Sequence, residues 1–531
     1  MDSTDQQDFE QAVDAALDQL TALDAINRLW RRDGSLFSDD LEVQRKVRDR
    51  LGWLFSPPAM RESIERLTVL ARTVERQGYQ QVVVVGMGGS SLWPEVIGRH
   101  LAGRRGLPIR VADSTHPAAV ADLLESARRT RTLFLIATKS GGTIETVSLY
   151  RALRSHFPDG RDYVAITDPG SSLEELARIE GFRDVFLGLA DVGGRFSALS
   201  PFGLVPAVLA GVVVHDALER AMETAADCRE PDPRLNPAAR LAAVLAAGAR
   251  TGRWQMRLVL GRDVRAFGGW IEQLIAESTG KAGQGILPVL GALGQGGTNL
   301  GAALRHAIVV GLSSFDHPDD DFAADCDDAN VPGLRFVMPE VADLWTEVFR
   351  WEAATALVGV LSGINPFDEP DVSAAKAATA ALLTGARQPA TPDRELRVRR
   401  LVDIDTAIGD SIASLPADDY LAVLAFVAPD QGNLQRLETL RERLQARTAA
   451  AVVVAIGPRY LHSTGQLHKG GPPRGHFIVA HDLDRVARGE LDDVPIPGAD
   501  HGFATLIRAQ AEGDVAVLAE RGLPVTLVHV G

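Results

Sequence analysis

Cysteine is nearly absent from this sequence. Only Cys228 and Cys326 occur among its 531 residues. Two cysteines are too few for a disulfide framework or a cysteine-rich metal site, so we expect a protein of the reducing cytoplasm. The opening segment MDSTDQQDFE is acidic and lacks an apolar run, which argues against a secretory signal.

Excess positive charge is also missing. The net charge of −15 disfavours nonspecific binding to nucleic acid or anionic membrane. Residues 196–214 form a long uncharged stretch, but prolines interrupt it, so we interpret it as a buried core helix rather than a membrane span. We therefore expect neither nucleic acid nor membrane as a partner.

Lysine is scarce as well. Lys and Arg together number 55, and only five of these are Lys. Because Arg serves here as the general surface cation, a retained Lys is a candidate for a task that Arg cannot perform, such as fitting a tight pocket.

The order of sequence patterns indicates the domain organisation. Residues 1–55 have a helical period and predict an N-terminal helical arm. Short β-branched runs then alternate with helical segments, and this alternation predicts α/β architecture with parallel sheets covered on both faces. We predict two doubly wound domains at 56–240 and 241–385, and an additional C-terminal α/β unit at 386–531.

Two glycine- and hydroxyl-rich loops follow predicted strands. They read GMGGSS at 86–91 and KSGGT at 139–143. Glycines let backbone N–H groups approach an anion, and hydroxyls can donate to it, so the pair predicts a socket for one phosphoryl group. Two alternatives stay open: a dinucleotide site in which Asp113 binds the ribose, and ordinary strand–helix turns.

Five strings together resemble phosphoglucose isomerase. They are GMGGSS at 86–91, KSGGTIET at 139–146, VGGRFSALSPFG at 192–203, ESTGK at 277–281 and NPFDEPDVSAAK at 365–376. The chain looks most similar to the isomerase half of bifunctional transaldolase/phosphoglucose isomerase proteins. The resemblance implies two sugar-isomerase (SIS) domains and a cytoplasmic enzyme of glycolysis and gluconeogenesis that interconverts glucose 6-phosphate and fructose 6-phosphate.

The residue types suit such an aldose–ketose isomerisation, which moves a proton between C1 and C2. Glu277 is our candidate for the proton-transfer carboxylate, since partial burial raises the pKa of such a group. Arg195 is the candidate cation for the oxyanion. Lys376 matches the family's ring-opening lysine, although Glu369 and Asp371 replace its more usual Gln and Gly.

The resemblance also implies the phosphate ligands. We expect the phosphate on Ser90, Ser140 and Thr143, together with Gly89 and Lys139 of the same loops. We expect a sugar phosphate as the partner, and neither a metal nor an organic cofactor.

Each candidate has a structural alternative. Glu277 could be an ordinary carboxylate at a helix end. Arg195 could be a partner in a surface ion pair, and Lys376 could be a solvated cation on a helix. Lys281 is spaced to pair with Glu277, but Gly280 argues against a continuing helix. The functional alternatives are a non-catalytic SIS-type sugar-phosphate sensor and an isomerase for another hexose phosphate, such as mannose 6-phosphate.

The histidine departs from the family pattern. Shorter bacterial members carry HSxGQ soon after the catalytic glutamate, but residues 290–301 here contain no His. His306 is nearest and begins an apolar strand, whereas HSTGQ appears at 462–466. We predict that the C-terminal unit folds back to deliver His462, flanked by His468 and Lys469. The family's usual homodimers take this His from the partner subunit, so both a homodimer and a monomer stay open here.

Overall fold

Three parallel β-sheets organise the molecule. The computed structural model describes residues 3–291, 304–315 and 331–531, so Cys326 and most of the histidine-free stretch lie outside the described residues. The α/β architecture with parallel sheets is confirmed, while the domain boundaries stay a prediction. Within the described ranges, no helix is long and apolar enough to cross a membrane.

The first sheet contains five parallel strands in the order β2-β1-β3-β4-β5. After β1 the chain continues to β2 on one side of the sheet, and after β3 it continues to β4 on the other side. This divergence opens a crevice at the carboxyl ends of β1 and β3. The strands are β1 Gln81–Val85, β2 Ile109–Ala112, β3 Thr132–Ala137, β4 Tyr163–Thr167 and β5 Asp184–Leu187.

Helices cover both faces of this sheet, which explains why β3 is buried along its whole length. The α-helices of this part are Ser56–Met60, Ile64–Arg76, Leu92–Val96, Pro117–Arg129, Ile144–His156, Ser172–Ile179, Pro201–Leu209 and Val214–Asp227. The uncharged stretch at 196–214 therefore contributes the short helix Pro201–Leu209, nearly all of which is buried.

The second sheet has four strands in the order β7-β6-β8-β9. Its strands are β6 Gln255–Leu260, β7 Leu287–Leu290, β8 Ala307–Ser314 and β9 Gly333–Met338. The helices of this part are Pro237–Arg250, Phe267–Thr279, Leu344–Ser362 and Pro370–Leu383.

The third sheet has five parallel strands in the order β10-β14-β13-β11-β12. They are β10 Arg394–Val398, β11 Tyr420–Phe426, β12 Ala451–Ile456, β13 Gly475–His481 and β14 Val525–Val530. The helices of this part are Ile404–Ala407, Gln431–Gln445, Gly465–Gly470, Asp484–Ala487 and Phe503–Glu520.

The N-terminal segment is helical and packs on the second part of the chain. Its α-helices are Ser3–Ala22, Ala25–Trp30 and Leu41–Arg48. The first of them contacts Pro237–Arg250 and Leu344–Ser362. Trp53, Trp93 and Trp345 lie in the same large apolar core, which joins the first two sheets into one packed body.

Candidate active site

A cavity of about 330 Å³ lies at the carboxyl edge of the first sheet. Residues from all three parts of the chain form its wall: the loop after β3, the helix Pro370–Leu383 and the turn after β12. Its lining includes Ser140, Thr143, Glu145, Lys376, His462 and Gln510. Four of these lining residues, Ser140, Thr143, Lys376 and His462, are predicted from the sequence. The other two, Glu145 and Gln510, are not.

The loop after β3 forms the hydroxyl-rich end of the cavity. Thr143 Oγ1 lies 2.8 Å from Thr138 Oγ1, and Ser140 Oγ accepts from the Gly142 N–H at 3.3 Å. Thr143 begins the helix Ile144–His156 without a side-chain cap on its first turn. Free N–H groups at a helix N-terminus attract anions, so this end of the cavity can hold a phosphate.

The GMGGSS loop packs beside the segments that carry Gln273 and His462. Gly89 and Ser90 are buried and do not line the cavity, because the turn Gly88–Ser90 packs against neighbouring segments. Gly88 has a φ of +56°, and a Cβ there would stand 2.7 Å from Gln273 Nε2 and 2.9 Å from the His462 carbonyl oxygen. The loop thus acts as a backbone surface against which the site residues pack.

Lys139 lies in the same loop as Ser140 and Thr143 but is not among the residues that line the cavity. Its Nζ forms an ion pair of 2.7 Å with Asp168. Burial lowers the pKa of Lys139, and the hydrogen bond and charge of Asp168 oppose that shift. The role of Lys139 as a phosphate ligand stays a prediction.

His462 reaches the cavity from the third part of the chain, and its ring is held there by Glu145. Nε2 of His462 lies 2.9 Å from Glu145 Oε1, and Gln510 Nε2 donates to the same oxygen at 2.7 Å. Burial opposes ionisation of Glu145, but the charge and hydrogen bond of His462 keep the pKa of Glu145 below its usual range. An ionised carboxylate at Nε2 fixes the ring orientation and leaves Nδ1 for another partner.

Glu277 lies beside this pair on the helix Phe267–Thr279. Gln273 Nε2 donates to Glu277 Oε2 at 3.0 Å and to the His462 carbonyl oxygen at 2.9 Å, so one amide joins the two candidates. Burial raises the pKa of Glu277, and Arg195, whose Nε is 3.9 Å away, opposes that shift. A buried carboxylate with a raised pKa is suited to accept and return a proton.

Arg195 is buried and has four polar neighbours, one of which is the Asp368 carbonyl oxygen, 3.2 Å from Nη2. Its Nη2 contacts Glu369 Oε2 at 2.9 Å and its Nη1 lies 3.4 Å from Ser278 Oγ. Glu369, which replaces the family's usual Gln, therefore shares the guanidinium with Glu277. Both candidates of the sequence, Arg195 and Glu277, are thus adjacent, although neither lines the open part of the cavity.

The two motif lysines have different surroundings. Lys376 is exposed at the cavity, and among the described residues no ion pair or hydrogen bond engages its ammonium group. Lys281 pairs with Asp368 at 2.8 Å and not with Glu277. Burial lowers the pKa of Lys281 to about 8. This lysine anchors the segment that leads into the helix carrying Lys376.

Arg459 connects the His462 turn to the first sheet. It begins the turn Arg459–His462, forms an ion pair with Glu95, and has its Nε 3.4 Å from Asp113 Oδ2. The carboxylates of Asp113 and Glu95 raise the pKa of Arg459 even though burial opposes this. Burial raises the pKa of nearby Glu272 to about 7, and the charge of Arg459 opposes that shift. Asp113, the possible ribose ligand, is therefore already engaged.

Other predicted neighbours lie away from the cavity. His306 Nδ1 is 3.2 Å from the Gly252 carbonyl oxygen at the start of β8. His468 Nδ1 lies 3.0 Å from the Tyr420 hydroxyl, and Lys469 Nζ is 2.5 Å from Asp514 Oδ1, so both face the interior of the third part.

Sequence analysis missed Glu145, Gln273, Gln510 and Arg459 as site residues. Glu145 lies within the KSGGTIET string, so that string carried a signal for it. Gln273 lies one helical turn before Glu277 and Arg459 lies three residues before His462, so the segments of these two were already marked. Gln510 reaches the site only because a distant segment folds onto it.

The sequence is similar to proteins of one known enzyme family. Residues 59–284 match the phosphoglucose isomerase family. A glucose-6-phosphate isomerase of Cyanothece sp. is 30% identical over 354 residues, which cover 58% of this chain and 67% of that protein. One from Thermosynechococcus vestitus is 28% identical over 437 residues, covering 72% of this chain and 81% of that protein.

Solved structures share the fold. A hypothetical protein from Thermus thermophilus matches with a TM-score of 0.60 and 22% identity, over 71% of this chain and 98% of that one. A glucose-6-phosphate isomerase from Chlamydia trachomatis matches with a TM-score of 0.55 and 18% identity, over 71% of this chain and 87% of that one. At these identities the likeness concerns architecture alone. With the sequence relatives and the site geometry together, the chain belongs to the phosphoglucose isomerase family.

Proposed function

We propose that this protein interconverts glucose 6-phosphate and fructose 6-phosphate. The observation that carries the proposal is that a carboxylate-bound imidazole and a free ammonium group line one hydroxyl-bearing cavity, while a buried carboxylate and a buried guanidinium lie next to the residue that carries the imidazole. These are the groups that ring opening and proton transfer between C1 and C2 require.

Binding begins at the hydroxyl-rich end of the cavity. Ser140, Thr143 and the first N–H groups of the helix Ile144–His156 would hold the phosphate. A fixed phosphate orients the sugar along the cavity toward Lys376 and His462.

Ring opening needs an acid at the ring oxygen and a base at the C1 hydroxyl. His462 and Lys376 line the same cavity and form this pair. The Glu145 carboxylate holds the His462 ring in place, and an imidazole can accept a proton and release it again.

Isomerisation then follows in the open chain. The Glu277 carboxylate removes the C2 proton of the aldose, negative charge develops on the enediolate oxygen, and the Arg195 guanidinium stabilises it. A proton passes from the C2 hydroxyl to O1, and the same Glu277 carboxyl then returns its proton to C1, which gives the ketose. No step of this sequence uses a metal or organic cofactor.

We further propose that one chain forms a complete site. Glu277, Arg195, Lys376, Glu145 and His462 all come from the same polypeptide, and His462 lies in the third part of the chain. A monomer is therefore sufficient for catalysis, whether or not the protein also dimerises.

The decisive experiment is a coupled assay for glucose 6-phosphate formed from fructose 6-phosphate. We expect turnover by the wild type and a loss of about 10²–10⁴-fold in Glu277→Gln. Exposed Glu75 provides the matched control, and Glu75→Gln should keep full activity. Mannose 6-phosphate serves as the competing substrate, and faster turnover of that sugar, or unchanged activity of Glu277→Gln, would contradict the proposal.

A further inference from the structure

The third sheet has a ligand-type crevice of its own. Its strands β13 and β11 are neighbours, but the chain leaves β13 toward β14 and leaves β11 toward β12, on opposite sides. In open parallel sheets, ligands bind at the carboxyl ends of strands where the strand order reverses in this way. The described structure has a cavity of about 240 Å³ at this edge.

Arginines dominate the wall of this cavity. Arg399 and Arg400 follow β10, Arg436 lies on the helix Gln431–Gln445, and Arg485 follows β13. Four arginines from three separate segments thus line one cavity in a protein whose net charge is −15. Such a local reversal of charge concentrates anions.

Two of the four guanidinium groups are available. Arg400 pairs with Asp403 at 2.7 Å and Arg485 with Asp482 at 3.4 Å. Among the described residues, Arg399 and Arg436 make no ion pair, and Arg436 Nη1 donates only to the neutral amide of Asn433 at 2.9 Å.

The acidic side chain in the wall is already engaged. Asp482 Oδ1 lies 2.9 Å from Nε2 of His116, a residue of the first part of the chain. Burial opposes ionisation of Asp482, and the hydrogen bond and charge of His116 bring the pKa of Asp482 below its usual range.

We propose that this arginine crevice, defined by Arg399, Arg400, Arg436 and Arg485, binds a small phosphate-bearing metabolite. Planar guanidinium groups match phosphate oxygens in bidentate geometry, which favours phosphate over a compact halide. The volume lies just under the range of about 300–1,000 Å³ of ordinary ligand pockets, so the ligand is small. The crevice shares no lining residue with the active-site cavity and forms a second, separate site.

Thermal unfolding in a titration of inorganic phosphate tests this inference. Sodium chloride at matched ionic strength controls for general screening. The titration is made in a Ser140→Ala/Thr143→Val background, which weakens phosphate binding at the active site. A ligand that binds only the folded state raises the melting temperature by mass action, and we expect this rise in the background protein.

Two further double variants in that background test whether phosphate binds at the arginine crevice. Arg399→Gln/Arg436→Gln should weaken the apparent phosphate affinity at least tenfold, whereas Arg104→Gln/Arg105→Gln, which removes the same charge at exposed positions elsewhere, should not. In the otherwise wild-type protein, Arg399→Gln/Arg436→Gln should retain isomerase activity within twofold, which establishes that it folds. A phosphate-dependent rise that persists in the crevice variant, or that is equal in chloride, would overturn the proposal.

Discussion

His462 Nε2 lies 2.9 Å from a carboxylate oxygen of Glu145, a residue 317 positions earlier in the chain. This contact joins the third part of the chain to the loop after β3. It also fixes which imidazole nitrogen is free toward the cavity, because the carboxylate selects the tautomer with a proton on Nε2. We expect the proposed ring-opening step to depend on this pairing.

Replacing His462 by Ala should therefore affect the cyclic sugar selectively. We expect a loss of about 10²–10⁴-fold in kcat/KM for the cyclic substrate. The loss should be much smaller for an open-chain analogue, which needs no ring opening. Glu145→Gln should show the same selectivity with a smaller loss, since the amide still hydrogen-bonds the ring without stabilising its charge. An equal loss on both substrates would refute the ring-opening role.

Mixing inactive variants tests whether one chain forms the whole site. Co-expressed Glu277→Gln and His462→Ala should recover no activity, because each chain then carries a defect in its own site. If a partner subunit supplied the histidine, mixed dimers would contain one intact site. Recovery of a measurable fraction of wild-type turnover in the purified mixture would show such an exchange.

The pH profile should report the environment of Glu277. Burial raises the pKa of Glu277, Arg195 lowers it and Glu369 raises it. Since only the carboxylate removes the C2 proton, kcat/KM should fall as pH drops through this pKa. The midpoint of this acid limb should lie above the ordinary glutamate pKa of about 4.3.

A substitution at Glu369 should shift the acid limb of the kcat/KM pH profile in a defined direction. Glu369→Gln removes a negative charge that raises the pKa of Glu277, so the acid limb should move to lower pH. The charge-preserving control Glu369→Asp should move the limb less. A limb that stays fixed, or moves upward, in Glu369→Gln would contradict the assignment of Glu277 as the titrating base.

Arg459 should act by positioning His462. Its contacts with Glu95 and Asp113 hold the turn that carries the histidine. We expect Arg459→Met to lower kcat by about tenfold to a hundredfold with little change in KM, because a small displacement of a catalytic group is costly. Arg459→Lys, which keeps the charge, should recover part of the loss. Thermal unfolding separates this effect from a general loss of stability, and a change confined to KM would contradict it.

A buried glutamate far from the cavity should make stability depend on pH. Glu352 is fully buried in the helix Leu344–Ser362, and no described residue hydrogen-bonds its carboxyl oxygens. Burial raises its pKa well above the usual value. The folded protein thus keeps a proton that the unfolded chain releases, so stability falls as pH rises above about 4.3.

Glu352→Gln removes that dependence because Gln is neutral at every pH. Its stability relative to the wild type should increase by about 1.4 kcal/mol per pH unit within this window. Urea unfolding at several pH values measures the difference, and Glu223→Gln on an exposed helix position provides a control with a flat response. Parallel stability curves for wild type and Glu352→Gln would contradict the prediction.

The sequence by itself determined the architecture and most of the chemistry. Alternating β-branched runs and helical periods specify parallel sheets, since both faces of each strand must be buried. Glu277, Arg195 and Lys376 lie in short strings whose residue types suit proton transfer. The string HSTGQ marks His462 as a candidate without any knowledge of what surrounds it in space.

Tertiary structure alone decided which of these groups meet. Gly89 packs against the Gly194 backbone, and Lys139 pairs with Asp168, because backbone packing and a nearby carboxylate determine where a loop's side chains point. The Glu145–His462 pair and the Arg459 contacts join segments hundreds of residues apart. Such contacts depend on how the sheets pack together, and no local sequence pattern encodes that packing.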